Sequence, residues 1–193
     1  QCPGMRDCRF GGGRVPAWSK PLVQGLGLTP VAKVTPEGRL RVAGGLFGKK
    51  FRFRSADGVV DEMIAIHRSY GTRDFYFTDD AMSMNRQRTE QICRRLIEEQ
   101  HGFTWSMMTR IDSVDEALLE MAARAGCVQI DYGVESGNPQ TLKRIHKPHT
   151  VEMVRRVIPL THRHGIRSAV FFILGFPWED APAIDLTLQL MKD

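Results

Sequence analysis

One pattern constrains this chain more than any other: an amphipathic helix, a glycine stop, a short β-type run and a polar loop, repeated four times with glycines at 71, 102, 126 and 165. In the first unit Val59, Val60, Met63, Ile64 and Ile66 make an apolar helical face, Gly71 ends it, and Phe75–Phe77 runs into Thr78–Asp79–Asp80. In the second, Ile92, Cys93, Leu96 and Ile97 share a face, and Thr104–Met108 leads to Thr109–Arg110. Ser113 and Glu116 have capping-box spacing ahead of Ala117, Leu118 and Met121, and Val128–Tyr132 leads to Gly133–Val134–Glu135–Ser136–Gly137. Helices are expected near 139–146 and 151–164, the second kinked by Pro159. Ala169–Leu174 reads as the last strand, followed by Gly175–Phe176–Pro177 and a helix from about Asp180.

Successive strands joined by helices must pair in parallel, because the helix supplies the right-handed crossover. The expected class is α/β, and both a doubly wound sheet and a barrel satisfy the pattern. In either, ligands collect at the carboxyl ends of the strands. Asp79, Asp80, Arg110, Asp112, Glu135, Ser136 and Glu179 cluster at those ends.

Each of these residues also has a purely structural reading. Asp79 and Asp80 can cap the next helix, although Ser83 or Asn85 can do so instead. Arg110 can pair with Asp112. Glu135 and Ser136 sit in a Gly-x-Glu-Ser-Gly turn whose glycines permit close approach of a ligand, with Glu accepting from ribose hydroxyls or an amine. His146 and His149 bracket a turn, and His162 and His164 lie near a helix end. No HExxH, GxxxxGK[ST] or GxSxG motif occurs, which argues against a histidine zinc centre, a phosphate loop and a nucleophile elbow.

Composition divides the chain. Residues 1–54 hold 11 Lys/Arg against Asp7 and Glu37, a charge of +9, and 15 Gly/Pro; residues 55–193 hold 16 Lys/Arg against 20 acids, a charge of −4. The first part reads as an irregular, solvated basic segment, with a nucleic-acid-interaction module as the alternative. The longest apolar run, near Ala169–Leu174, is too short to span a membrane. The chain starts at Gln1 without a signal-peptide pattern and is expected to be a cytoplasmic fragment. Four Cys without a close, even framework argue against a disulfide-stapled fold.

The ordered runs Phe77–Asp80, Trp105–Arg110, Ala125–Cys127, Tyr132–Gly137 and Phe172–Pro177 resemble the radical S-adenosylmethionine (SAM) superfamily. They are most similar to the subgroup that often carries a cobalamin-binding domain ahead of its barrel, and Phe47–Ser55 looks like that subgroup's approach to the first barrel helix. The resemblance covers about residues 46–193. It implies a partial (β/α)6 TIM-like barrel over residues 55–193 with SAM across the strand ends. Glu135 and Ser136 would then meet the ribose and methionyl part, Asp79 and Asp80 the methionyl amine, Arg110 a carboxylate, and Gly175 the adenine.

The family's chemistry rests on C-x3-C-x2-C, with an aromatic residue before the last Cys. Three thiolates hold a [4Fe–4S] cluster that cleaves SAM to a 5′-deoxyadenosyl radical. Here Cys2 and Cys8 are the candidate metal ligands and Phe10 the aromatic residue, counted with the SAM-binding set. The first gap is five residues and Gly11 replaces the third Cys, so this chain by itself is expected to be inactive. A reading-frame disturbance upstream of Leu46 is the expected cause, with genuine loss of the cluster as the alternative. Cys93 and Cys127 read as packed thiols. The resemblance further implies a small-molecule substrate, an electron donor and, in the full-length protein, cobalamin; methyl transfer and cyclisation are the reactions it brings forward. A barrel that binds SAM or another nucleoside without a cluster is the other reading.

Overall fold

Why the apolar positions fall where they do is answered by a parallel sheet covered on one side. The computed structural model describes residues 53–79 and 81–193, and Arg54–Asp193 forms one compact unit. Its elements are α1 (Ala56–Tyr70), β1 (Asp74–Phe77), α2 (Arg86–Glu99), β2 (Thr104–Thr109), α3 (Glu116–Arg124), β3 (Cys127–Glu135), α4 (Pro139–Arg144), α5 (Val151–Arg163), β4 (Arg167–Phe172) and α6 (Ala181–Leu190). All neighbouring strands pair in parallel, in the order β1-β2-β3-β4. A doubly wound sheet needs a reversal of that order. These strands have none, so right-handed crossovers put every connecting helix on the same face. The result is an α/β segment of a barrel wall.

Strand alternation separates the two faces. Phe75, Phe77, Trp105, Met107, Ile130, Tyr132, Val134, Val170 and Phe172 join the helix-covered core. There they meet Val60 and Met63 of α1, Ile92 and Leu96 of α2, Leu118 and Ala122 of α3, and Val154 and Val157 of α5. Trp105 is fully buried, donates its indole N–H to the Ala125 carbonyl at 2.8 Å and meets Phe77 edge-on at 5.5 Å. The opposite face carries Tyr76, Met108, Gln129, Asp131, Gly133 and Phe171, which the register places side by side: Met108 faces Asp131, Asp131 faces Ala169, and Gly133 faces Phe171.

Several local expectations need correction. The start of α3 is capped by Asp115, which accepts from the Leu118 N–H at 2.9 Å. Ser113 instead turns into a short 3-10 segment, where its hydroxyl donates to the Arg110 carbonyl, so the Ser113–Glu116 box does not form. Gln100, in the left-handed region, ends α2 ahead of Gly102. β4 starts at Arg167 and ends at Phe172, so Ile173 and Leu174 belong to the loop. The helix expected over 151–164 is α5, which carries Pro159 inside it and buries Val154, Val157 and Leu160.

His149 ties the α4–α5 connection to β3. It is almost fully buried, with Nε2 3.1 Å from the Val134 carbonyl, to which the neutral ring donates. Burial pulls its pKa below the ordinary histidine value, against the opposing pull of that hydrogen bond. The unfolded chain therefore takes up a proton near pH 6.5 that the folded chain resists, and stability present above that pH is lost as pH falls through it. Urea midpoints should decline from pH 7.5 to 5.5, and His149→Gln, whose amide still donates, should remove most of that decline. Trp105→Ala should lower unfolding free energy by about 3–5 kcal/mol in the same titration.

Candidate functional site

The register brings the carboxyl ends of the strands to one edge: Phe77 lies beside Met107, Thr109 beside Tyr132, and Glu135 beside Phe172. Asp79, Arg110, Glu135 and Gly175 follow these ends and share that edge. Cys2, Cys8, Phe10 and Asp80 lie outside the described residues.

Asp79 is half exposed and accepts from Arg88 Nη1 at 3.4 Å. Asn85 caps α2, accepting from the Arg88 N–H, so Asp79 is left out of the cap. Arg110 closes its fork on Asp112, Nε to Oδ1 at 2.9 Å and Nη2 to Oδ2 at 2.7 Å. That guanidinium holds the Asp112 carboxyl below its usual pKa. The structural reading of Arg110 is therefore realised.

Glu135 is the last residue of β3 and takes φ 72°, a left-handed backbone unusual for Glu. Its Oε1 accepts from Lys147 Nζ at 2.8 Å, and Oε2 has no hydrogen-bond partner among the described residues. A Cβ on Gly133 would come within 2.8 Å of Glu135 Oε1, so glycine there leaves room for the carboxylate to fold back over the strand. Its backbone carbonyl accepts from Ile173 N at 2.8 Å, which continues the β3–β4 ladder past the strand end.

Ser136 and Gly137 face α6 rather than open space. Ser136 is fully buried, its Oγ 3.1 Å from Thr187 Oγ1 and accepting from the Asn138 N–H at 3.0 Å. A Cβ on Gly137 would lie 2.4 Å from the Leu186 carbonyl oxygen. This glycine admits a helix backbone where a ligand was expected. Gly175 takes φ 85°. Its N–H and that of Phe176 both donate to Glu179 Oε2, at 3.0 and 3.1 Å, while Thr141 donates to Oε1 at 3.2 Å. Glu179 thus pins the Gly175–Pro177 turn to α4.

The described cysteines do not fit a metal cluster. Cys93 and Cys127 are buried in the apolar layer, and burial pushes both thiols up to about 12, so they stay protonated at neutral pH. Cys127 starts β3, at the edge opposite the site. Among the described residues no three His, Cys, Asp or Glu side chains gather as a metal site.

Sequence reasoning passed over Lys147, Tyr76 and Asp131. Tyr76 Oη donates across β2 to Asp131 Oδ2 at 2.8 Å, and Gln129 Nε2 donates to Oδ1 at 2.9 Å. The signal was present: Gln129, Asp131, Gly133 and Glu135 alternate with Ile130, Tyr132 and Val134, the signature of one polar strand face.

Comparison with known proteins agrees with this geometry. Residues 35–191 match the model of the radical SAM superfamily. An uncharacterized methyltransferase of Pyrococcus horikoshii is 27% identical over 146 residues, covering 76% of this chain and 32% of the relative. The anaerobic magnesium-protoporphyrin IX monomethyl ester cyclase of Rubrivivax gelatinosus is 28% identical over 149 residues, covering 76% and 27%. The chain thus spans about a third or less of these relatives. Among solved structures, the cobalamin-dependent radical enzyme OxsB superposes with a TM-score of 0.71 at 22% identity, over 77% of this chain and 24% of that one. The methyltransferase TsrM of Kitasatospora setae gives 0.70 at 20% identity, over 77% and 30%. The match over residues 35–191 and the shared fold agree: the chain belongs to the radical SAM superfamily.

Proposed function

We propose that residues 55–193 are the SAM-binding part of the barrel of a radical SAM enzyme that modifies a small molecule, by methyl transfer or cyclisation with cobalamin in the full-length protein. The observation that carries this reading is the strand-end edge, where Asp79, Arg110 and Glu135 arrive from three successive parallel strands. Glu135, with Oε2 open, accepts from the ribose hydroxyls, and the hydrogen bond from Lys147 keeps its carboxylate aimed. Asp79 takes the methionyl ammonium. Arg110 offers its fork to the methionyl carboxylate, exchanging one anion for another as Asp112 lets go. Gly175 presents a tight turn to the adenine. Ser136 supports the site by anchoring the loop to α6.

A [4Fe–4S] cluster supplies the single electron that cleaves SAM in this family, and the described residues contain no thiolate set to hold one. Cluster ligation belongs to residues 1–54 on this reading, where Cys2 and Cys8 stand with Gly11 in the third place. An electron donor and a cytoplasmic setting accompany the assignment. Among the described residues no helix is long and apolar enough to cross a membrane.

Two measurements test the reading. Calorimetry should detect SAM binding to the chain, and Glu135→Ala should weaken it about tenfold, the loss of one charge-assisted hydrogen bond; a folded chain that does not bind SAM refutes the proposal. Anaerobic reconstitution of the chain should fall well short of four irons per chain, and restoring a third cysteine at position 11 should raise the yield.

A further inference from the structure

The face of the sheet opposite the described helices carries a built polar group that the proposed SAM contacts do not use. Asp131 lies mid-strand on β3, 5% exposed. Its two oxygens accept from neutral donors, the Tyr76 phenol at 2.8 Å and the Gln129 amide at 2.9 Å. No Lys, Arg or His pairs with it among the described residues. A buried carboxylate normally has a cationic partner, because neutral donors solvate the charge without cancelling it. The hydrogen bond to Asp131 raises the Tyr76 pKa, so the phenol keeps its proton at neutral pH and remains the donor of the pair.

Tyr76 is the exposed end of this pair. Its side chain is half exposed, and its single hydroxyl proton is committed to Asp131. The phenolic oxygen is thereby left as an acceptor, polarised by the anion behind it, and the open ring face adds its own attraction for a cation. Met108 of β2 lies beside Asp131 on this face and adds apolar surface next to the pair, and half-exposed Phe171 stands beside Gly133 farther along. Asp131 and Glu135 lie on the same side of β3, four residues apart, which is about 13 Å along the strand.

We propose that Tyr76 and Asp131 form a subsite for the substrate, and that they select an organic cation, an ammonium group on a flat apolar body. The body lies against Tyr76 and Met108, and the ammonium N–H donates to Tyr76 Oη with Asp131 as the counter-charge. This subsite rests on the barrel reading of the proposed function for its place inside the wall, and it assigns the class of substrate that the strand-end residues leave open.

The test uses benzylammonium as the probe and benzyl alcohol as its neutral counterpart, each titrated into the full chain and followed by amide shifts in NMR. Benzylammonium should bind about tenfold more tightly than the alcohol, with the shifts centred on residues 76, 129 and 131. Asp131→Asn keeps the size and an acceptor for Tyr76, and should reduce that preference to less than twofold. Tyr76→Phe, which leaves the sheet core untouched, should reduce it at least threefold and serves if the Asn variant does not fold. Equal binding of the two probes, a preference that survives both variants, or shifts centred on Asp57, Asp61 and Glu62 of α1 would each overturn the proposal. A parallel SAM titration should give the same affinity for the wild type and Asp131→Asn. Loss of SAM binding with the cation preference intact would count against the proposed function and leave the subsite standing.

Discussion

Parallel pairing in chain order is the constraint from which the rest of this structure follows. With β1 to β4 added one after another on the same side, each crossover helix is forced onto one face, and that face becomes the apolar layer around Trp105, Leu118 and Ile130. The other face receives every alternate side chain, and no helix among the described residues covers it. Two consequences come from the same geometry. All strand ends that carry polar loops meet at one edge, and the uncovered face is free to hold polar groups that a helix-packed layer would exclude. Asp131 occupies that face, and its neighbours in sequence, Ile130 and Tyr132, occupy the other.

β3 is the strand on which both consequences converge. It is the longest, at nine residues, and Glu135 therefore stands beyond the ends of β1 and β2. The glycines around Glu135 have different jobs. Gly133 makes room for the carboxylate, whereas Gly137 lets the α6 backbone close on the loop. Ser136, pointing the other way, bonds to Thr187. A Gly-x-Glu-Ser-Gly run that looks like a ligand cradle is in this chain partly a helix-docking surface, with the acid turned to Lys147 and the hydroxyl to Thr187.

This division also shows what the sequence could reveal. Helix existence and strand order were legible because apolar periodicity switches between about 3.6 and 2, and a parallel sheet follows from helices between strands. The edge location of Asp79, Arg110 and Glu135 was legible for the same reason. The partner of each side chain was not. Asp115 won the cap of α3 over Ser113 because its carboxylate reaches the Leu118 N–H, while the Ser113 hydroxyl bonds inside its own turn and lies 2.5 Å from Ser83 Oγ. The Lys147–Glu135 and Tyr76–Asp131 contacts join residues 12 and 55 apart in the chain, and only the fold brings them together.

The cysteines follow the same logic of faces and edges. A cluster that serves SAM has to sit at the carboxyl edge with ionised thiols. Cys93 packs on the inner side of α2, and Cys127 opens β3 at the amino edge. Apolar burial then raises both thiol pKa values, so position and chemistry exclude them together. Among the described residues the barrel segment therefore carries polar groups at its carboxyl edge and along the face opposite the helices, with no cluster of metal ligands. On the proposed function, SAM binding and cluster ligation fall on different parts of the chain, so the strand-end edge of residues 55–193 does not depend on the sequence at Cys2, Cys8 and Gly11.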